Sequence, residues 1–350
     1  PGGNDTALVM GVVRDEKLRK EVNDILLGLY RNVEQAGFVN LDPASPELVM
    51  SGGEFCGNAT RCTASLALDG KPGEVRMKVS GVEGKLRAGV TETGEAFAQM
   101  PIYADVSRVV NDGQHRIVAM EGITQYINFD TKEIEGLTES ELKQKAMDIV
   151  RKKKLDQYPA AGVIWSRKDG NGWRITPVVY VRAIDTLYAE TACGSGTTAL
   201  GLVLALREGK SIKDVPIVQP TGLPIKVSVA FDGISFGYAQ ISGPVEKLGQ
   251  GMLIQKEGKL VAVNLEEVTG PKDLESALRE GGLTNLYKDM FREAPYFESF
   301  TDEAVEGYFE EYRRDGILIV AKCQGAVVGF SAAVPLETVP NIAAILGVPS

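Results

Sequence analysis

The chain has 350 residues, which is long enough for two or three domains with sizeable cores. Its net charge of −9 argues against nucleic acid or an anionic membrane surface as the main partner. Four cysteines and a single histidine exclude a disulfide scaffold and give poor support for a zinc site. No apolar run approaches the ~20 residues of a membrane span, and no secretory leader precedes the first strand, so a cytoplasmic protein is expected.

The first half opens with a strand pattern at residues 7–13. Apolar residues at helical spacing follow over residues 17–36, with Gly37 as the expected C-cap. Short apolar segments punctuated by Gly and Pro then predict strands at residues 75–79, 84–90 and 96–100.

The second half repeats this pattern of strands and helices around a second central helix. Strands are predicted at residues 117–120, 126–128, 162–165, 174–181 and 225–231, with a helix at residues 139–152. After Gly243-Pro244 the pattern changes to helices at residues 273–280, 285–293 and 302–314 and a β-hairpin at residues 317–321 and 326–330. Residues 249–258 read as the join between these parts.

Two segments of the chain are nearly equivalent. Cys56-Gly57-Asn58 heads one helical run, and Cys193-Gly194-Ser195 heads another. A cysteine at a helix N-terminus lies at the positive end of the dipole, which lowers its pKa and favours the thiolate. The free backbone N–H groups beside it form an anion pocket. The recurrence predicts two similar α/β halves that close on one bound anion.

Such a pair of cysteines suits proton exchange at a carbon stereocentre. One thiolate removes the α-proton of an amino acid, and the other group, as a thiol, returns a proton to the opposite face. The amides at Gly57-Asn58 and Gly194-Ser195 would hold the α-carboxylate. This chemistry requires no metal or organic cofactor. A single Cys-Gly helix start is more often structural than catalytic, but two equivalent starts in one chain favour catalysis.

At these residues the chain resembles the diaminopimelate epimerase family of cofactor-independent racemases, over about residues 1–248. The motifs are those around Asn4, Cys56, Cys193 and Ser242-Gly243-Pro244. The resemblance implies a pseudo-symmetric pair of α/β halves, each a sheet wrapped round a central helix. It also implies a catalytic pair in Cys56 and Cys193, and a substrate site that includes Asn4 and the amides of Gly57, Asn58, Gly194 and Ser195.

Departures from that family concern the side chain of the substrate. Its Glu-Arg pair before the second cysteine reads Ile184-Asp185-Thr186 here, so the arginine for a distal carboxylate is missing. Its Asn-Pro-His segment reads Ile123-Thr124-Gln125. The cysteine motifs look more like those of the histidine racemases of opine metallophore synthesis. Acidic residues Glu54, Asp185 and Glu190 would suit a basic side chain, although Glu54 pairing with Arg61 and Asp185 capping a turn are the ordinary alternatives.

Other functions remain open at this point. Diaminopimelate epimerase, or another isomerase of the same architecture, is one; the phenazine isomerases lack the cysteine pair. A protein that binds a carboxylate without chemistry is another. The substrate in each case is a small molecule, and the sequence leaves open whether the chain forms a homodimer.

The C-terminal segment resembles the first part of a Gcn5-related acetyltransferase. A strand begins at Val261, helices follow, and a hairpin closes the segment, but the glycine-rich pyrophosphate loop of that family is not reached. A partial acetyltransferase-like segment, a remnant or part of a longer bifunctional protein, is therefore expected. The predicted domains are residues 1–112, 113–248 and 258–350.

Overall fold

The computed structural model describes residues 2–170, 172–182, 185–256 and 259–335. The chain divides into two compact units, Pro1–Glu246 and Lys247–Ser350, each with its own hydrophobic core. Both units combine helices with sheets, so the mixed α/β class is confirmed. In the described part of the chain, no helix is both long enough and apolar enough to cross a membrane.

The helices are α1 (Glu16–Leu29), α2 (Gly57–Ala67), α3 (Glu139–Lys152), α4 (Gly194–Glu208), α5 (Pro271–Glu275), α6 (Leu283–Arg292) and α7 (Asp302–Asp315). The strands of the first unit are β1 (Asp5–Met10), β2 (Val33–Asn40), β3 (Glu47–Met50), β4 (Gly73–Val79), β5 (Lys85–Val90), β6 (Ala96–Met100), β7 (Val109–Asp112), β8 (His115–Met120), β9 (Ile123–Asn128), β10 (Ala160–Asp169), β11 (Gly172–Val181), β12 (Thr186–Ala189), β13 (Ile212–Val218), β14 (Pro224–Phe231) and β15 (Phe236–Gly243). Those of the second unit are β16 (Gln250–Lys256), β17 (Lys259–Glu267), β18 (Ile317–Cys323) and β19 (Ala326–Ala333).

One continuous sheet runs through the first unit. Its order is β1-β2-β3-β4-β5-β6-β15-β14-β13-β11-β10-β9-β8-β7, and β12 pairs with β11 off this path. At the centre, β6 pairs with β15 in antiparallel sense, with Met100 opposite Ala239. This pairing joins strands that lie far apart in the sequence into one sheet.

Helices α2 and α4 lie inside the first unit and are buried on nearly all sides. Of the 15 residues of α4, 11 are buried, and α2 buries every residue from Gly57 to Ala64. Small residues allow this close packing: a Cβ on Gly201 would lie 2.7 Å from Val227 Cγ2. The two helices predicted after Cys56 and Cys193 are thus confirmed, as central helices under the sheet.

The predicted helix over residues 17–36 is too long, and the C-cap at Gly37 is wrong. Helix α1 ends at Leu29 with Tyr30 as its cap, and Gly37 lies within β2 between β1 and β3. There it is needed for space, because a Cβ would lie 2.6 Å from Leu48 Cδ1. The predicted helix was too long because the apolar residues of the buried strand β2 happen to continue the helical spacing of α1.

Within its described residues, the second unit is a four-stranded antiparallel sheet of order β16-β17-β18-β19 with three helices. Its core contains Val305 and Phe309 of α7 against Leu318 and Val320 of β18. The predicted helices and hairpin are confirmed, with a π-helical turn, Ser276–Glu280, extending α5. The linker predicted at residues 249–258 is wrong, because β16 occupies most of this segment. Glycines on both sides of the short apolar strand gave the sequence the appearance of a linker.

Candidate active site

Both cysteines are the N-caps of central helices. The Cys56 Sγ accepts a hydrogen bond from Ala59 N at 3.4 Å, and the Cys193 Sγ accepts one from Gly196 N at 3.2 Å. Each sulfur therefore faces the free N–H groups of a first helical turn, where an anion is favoured.

The starts of α2 and α4 lie side by side. A Cβ on Gly194 would lie 2.9 Å from Ile241 Cδ1 and 3.9 Å from Gly57 Cα. The Asn58 side chain donates to the Ala192 carbonyl at 3.2 Å and so connects one helix start directly to the loop before the other. The structure thus brings Gly57, Asn58 and Gly194 together at the two helix starts.

Cys56 is half-buried and receives a short hydrogen bond. The Gln35 side-chain amide donates to its Sγ at 2.8 Å. Desolvation raises the pKa of the Cys56 thiol to about 12, and the nearby charges of Glu190 and Glu54 act in the same direction. The backbone N–H groups of α2 oppose this rise without cancelling it. The predicted lowering of the thiol pKa by the helix is therefore wrong for the protein alone, because burial outweighs the dipole.

Cys193 is buried within a polar network. Its backbone N–H donates to Gln219 Oε1 at 2.9 Å, and its Sγ lies 3.4 Å from Ser195 Oγ. Gln125 Nε2 donates to the same serine hydroxyl at 2.9 Å. Burial raises the pKa of the Cys193 thiol well above its usual range, and the Glu190 carboxylate, which accepts its hydrogen bond, raises it further.

Glu190 connects the two thiols electrostatically. Burial raises the pKa of its carboxyl to about 7, against the opposing effect of the Cys193 hydrogen bond. The charge of Glu190 also raises the pKa of Cys56. Its position three residues before Cys193 thus gives the site one carboxylate that acts on both sulfurs and changes charge near neutral pH.

The N-terminal segment is held by residues from distant parts of the chain. Asn4 is buried and donates to the Glu34 carboxylate, which also accepts from the Thr191 hydroxyl. The Thr191 hydroxyl lies 3.1 Å from the Gly3 carbonyl. Gly3 has a φ of +90°, and a Cβ there would lie 2.3 Å from Thr221 Cγ2, so only glycine fits. Asn4 is therefore placed beside the loop that leads to Cys193.

Arg61 is fully buried one turn into α2. Its Nη2 donates to Asn58 Oδ1 at 2.9 Å, while Nε and Nη1 make no hydrogen bond to the residues that the structure describes. Burial lowers the pKa of Arg61 to about 10, so the guanidinium keeps its charge at neutral pH. The proposed Glu54–Arg61 ion pair is wrong; Arg61 orients the Asn58 amide instead.

The structure separates the remaining predicted acidic residues. Glu54 lies two residues before Cys56 and its charge acts on that thiol. Asp185 lies in the exposed turn between β11 and β12, with its Oδ1 accepting from the Tyr180 hydroxyl at 2.8 Å. Strand β12 lies between Asp185 and Glu190 in the sequence. The structure therefore places Asp185 in a turn and not beside the cysteines, in contrast to its predicted place in the substrate site. Ile184, which precedes it, is outside the described residues.

Four site residues were missed by the sequence analysis: Glu34 and Gln35 on β2, Gln125 on β9, and Gln219 after β13. Each lies on a strand, or just after one, outside the cysteine motifs. The predicted helix over residues 17–36 concealed Glu34 and Gln35, and Gln125 had been noted only as a departure from the related family.

Known proteins resemble this chain. Residues 1–254 match the family described as histidine racemase CntK N-terminal domain. A histidine racemase of Fusobacterium nucleatum is 29% identical over 72% of this chain and 93% of its own length. A histidine racemase of Staphylococcus aureus is 27% identical over 63% of this chain and 84% of its own length. A solved phenazine biosynthesis protein of the PhzF family from Bacillus anthracis aligns with a TM-score of 0.47 and 15% identity, over 69% of this chain and 90% of that one.

Proposed function

Because the chain belongs to the family of the histidine racemase CntK N-terminal domain, and is therefore an amino-acid racemase, we propose that its substrate is histidine and that Cys56 and Cys193 exchange the α-proton. The observation that carries the proposal is the pair of thiols at two adjoining helix N-termini with Glu190 acting on both. A role in metallophore synthesis is part of the same proposal.

The α-carboxylate of the substrate would lie between the two helix starts. The N–H groups of Gly57, Asn58, Gly194 and Ser195 are among the first of α2 and α4, which have no partner within their helices. They would stabilise the charge that moves onto the carboxylate as the α-carbon loses its proton. Glycine at both first positions lets the two helix starts pack closely against the core, since a Cβ at either one would come within about 3 Å of neighbouring side chains.

Proton exchange would run from one sulfur to the other. The Cys193 thiol passes its proton to the Glu190 carboxylate, and the resulting thiolate removes the α-proton. The electron pair left on the α-carbon delocalises into the carboxylate, and the Cys56 thiol donates its proton to the opposite face. The Cys56 thiolate that remains accepts the Gln35 hydrogen bond, and the reverse reaction begins from it. The ammonium group of the substrate would lower both thiol pKa values on binding.

Recognition of the imidazole is assigned to acidic residues around the cysteines. Glu54 and Glu190 flank Cys56 and Cys193 respectively, and Glu34 lies beside Asn4 and Thr191. A ring that donates N–H groups suits carboxylates better than the second carboxylate of diaminopimelate would, because like charges repel.

We also propose that the first unit consists of two pseudo-symmetric halves. The pairing senses from β1 to β6 are parallel, antiparallel, parallel, antiparallel and antiparallel. The same series connects β9, β10, β11, β13, β14 and β15. Strand β7 pairs with β8 beside β9, so we place the boundary between β6 and β7 rather than at residue 112.

Exchange of the α-proton tests the proposal directly. The reduced protein is incubated in D₂O with L- and D-amino acids, and the Cα–H signal is followed by NMR. Histidine should lose this signal and invert. Binding of histidine without exchange would instead favour a carboxylate-binding protein, and exchange of diaminopimelate alone would favour the epimerase.

Single cysteine variants test the two-base mechanism. Cys56→Ser and Cys193→Ser should each abolish racemisation, because a serine hydroxyl is far too weak an acid to replace either thiol. Cys62→Ser is the matched control, since this buried cysteine lies within α2 and has no role in the mechanism. Wild-type racemisation by both site variants would rule out the mechanism.

For the second unit we propose a structural relationship to the first part of a Gcn5-related acetyltransferase. Its order of strand β17, three helices and the β18–β19 hairpin supports this. Calorimetric titration of the chain with acetyl-CoA tests whether the segment binds that cofactor. If no heat of binding is measured, the relationship concerns the fold and not cofactor binding.

A further inference from the structure

A second pocket lies at the other end of α4 from Cys193. It has a volume of about 450 Å³, within the range of small-molecule sites. Arg207, in the last turn of α4, is one of its walls, and about 14 residues of helix, roughly 20 Å, separate it from the cysteine. The pocket therefore belongs to neither the thiols nor the carboxylate-binding amides.

Four cations converge on this pocket: Arg116 of β8, Arg167 and Lys168 of β10, and Arg207. No carboxylate is found among the described residues that line it. None of the four cations is in an ion pair with another described residue, and the Arg116 guanidinium donates only to backbone carbonyls of its own hairpin. Such a concentration of one sign is notable in a chain whose net charge is −9. Mutual repulsion is relieved when an anion binds between the cations.

Two aromatic rings form the apolar part of the same pocket. Phe129 and Trp173 meet edge to face, with ring centroids 5.9 Å apart. The Arg207 guanidinium lies over Trp173 at 5.9 Å from the ring centroid. Aromatic surface beside arginines is the combination that holds a planar ring next to phosphates.

We propose that this pocket binds an anion of the nucleoside polyphosphate class. The phosphates would lie against Arg116, Arg167, Lys168 and Arg207, where the forked guanidinium groups bind phosphate oxygens in pairs. The ring of the ligand would lie against Trp173 and Phe129. The inference is independent of the racemase mechanism and rests on the lining of the pocket alone.

Tryptophan emission reports on this pocket selectively. The chain has two tryptophans. Trp165 is fully buried with its indole N–H donating to Glu133, so a change in emission on binding arises from Trp173. The whole protein is titrated with ATP, inorganic triphosphate and adenosine, each against KCl at the same ionic strength. A saturable change with ATP, weaker with triphosphate and weaker still with adenosine, is expected.

Paired charge variants complete the test. Arg167→Gln with Lys168→Gln removes two exposed cations and should weaken ATP binding about tenfold or more. Lys152→Gln with Lys154→Gln removes the same charge from the α3 end and should leave the affinity unchanged. Absence of a saturable change with any anion, or equal weakening by both pairs, would overturn the site. Equal affinity for ATP and inorganic triphosphate would overturn the ring contact.

Discussion

Glu190 is the residue whose charge acts on both thiols, and its carboxyl has a pKa of about 7. In the proposed mechanism it must be ionised to accept the Cys193 proton. We therefore expect kcat/KM for racemisation to rise as the pH rises through about 7. The Glu190→Gln variant should be far less active and should lack that rise.

A comparison of the two pH profiles isolates the effect of Glu190, because the imidazole of the proposed histidine substrate titrates in the same way with both proteins. Glu92→Gln, at an exposed carboxylate, is the matched control and should keep the wild-type profile. A Glu190→Gln profile that still rises through about pH 7 as in the wild type would exclude Glu190 as the acceptor.

The same pKa has a consequence for stability. The folded pKa of Glu190 is raised above its ordinary value of 4.5, so its stabilising contribution is fully present below about pH 4.5. The contribution is lost as the pH rises through about 7, where the buried carboxyl must ionise. The free energy of unfolding should fall less over this range in Glu190→Gln, which urea titrations at several pH values would measure.

Gln35 supplies the hydrogen bond to the Cys56 sulfur. In Gln35→Leu the Cys56 thiolate loses this donor, so its pKa should rise further and alkylation by iodoacetamide should slow about tenfold. Peptide mass spectrometry measures the rate at each cysteine. Cys193 in the same sample is the internal control, and equal slowing at both cysteines would indicate a general closing of the site instead.

At the scale of elements, the closeness of α2 and α4 depends on glycine at their first positions. Gly194→Ala would bring a Cβ to 2.9 Å from Ile241 Cδ1 and towards Gly57. We expect racemisation to fall at least tenfold with little loss of helix content. Gly28→Ala in α1 is the matched control: nothing lies within 4 Å of its Cβ, and the variant should gain roughly 0.5–1 kcal/mol in unfolding free energy. Activity and circular dichroism of both variants check this, and a fully active Gly194→Ala would contradict the packing argument.

The sequence predicted those elements whose signals are local. The Cys-Gly pairs mark the helix starts at residues 57 and 194, and apolar spacing with polar caps marks α3 and α7. It failed at β2, because Val33, Ala36 and Val39 fit a helical period as well as a buried strand. Gln125 and Gln219 could not be found, since only the pairing of distant strands brings them to Cys193. The thiol pKa values likewise depend on burial, which a helix start does not reveal.

At the scale of the molecule, each of the two units has its own core. Phe309 is fully buried in the second unit, and Phe309→Ala should destabilise that unit by about 3–5 kcal/mol. Scanning calorimetry should then show one transition moved to lower temperature, while racemase activity at room temperature stays unchanged. The opposite result would be a loss of racemisation while the unfolding transition of the first unit keeps its wild-type temperature. That result would show that activity depends on the second unit.

The central pairing of β6 with β15 has a consequence for synthesis of the protein. Strand β6 ends at residue 100, and its partner begins at residue 236. At ~5–20 residues per second, a ribosome needs roughly 7–27 s to make the intervening chain. During this time the nascent first half presents the unpaired edge of β6, which can pair with the same edge of a neighbouring nascent chain. Crowded polysomes therefore favour edge-to-edge association of nascent chains, and slower expression or a chaperone that covers this edge should raise the yield of correctly paired protein.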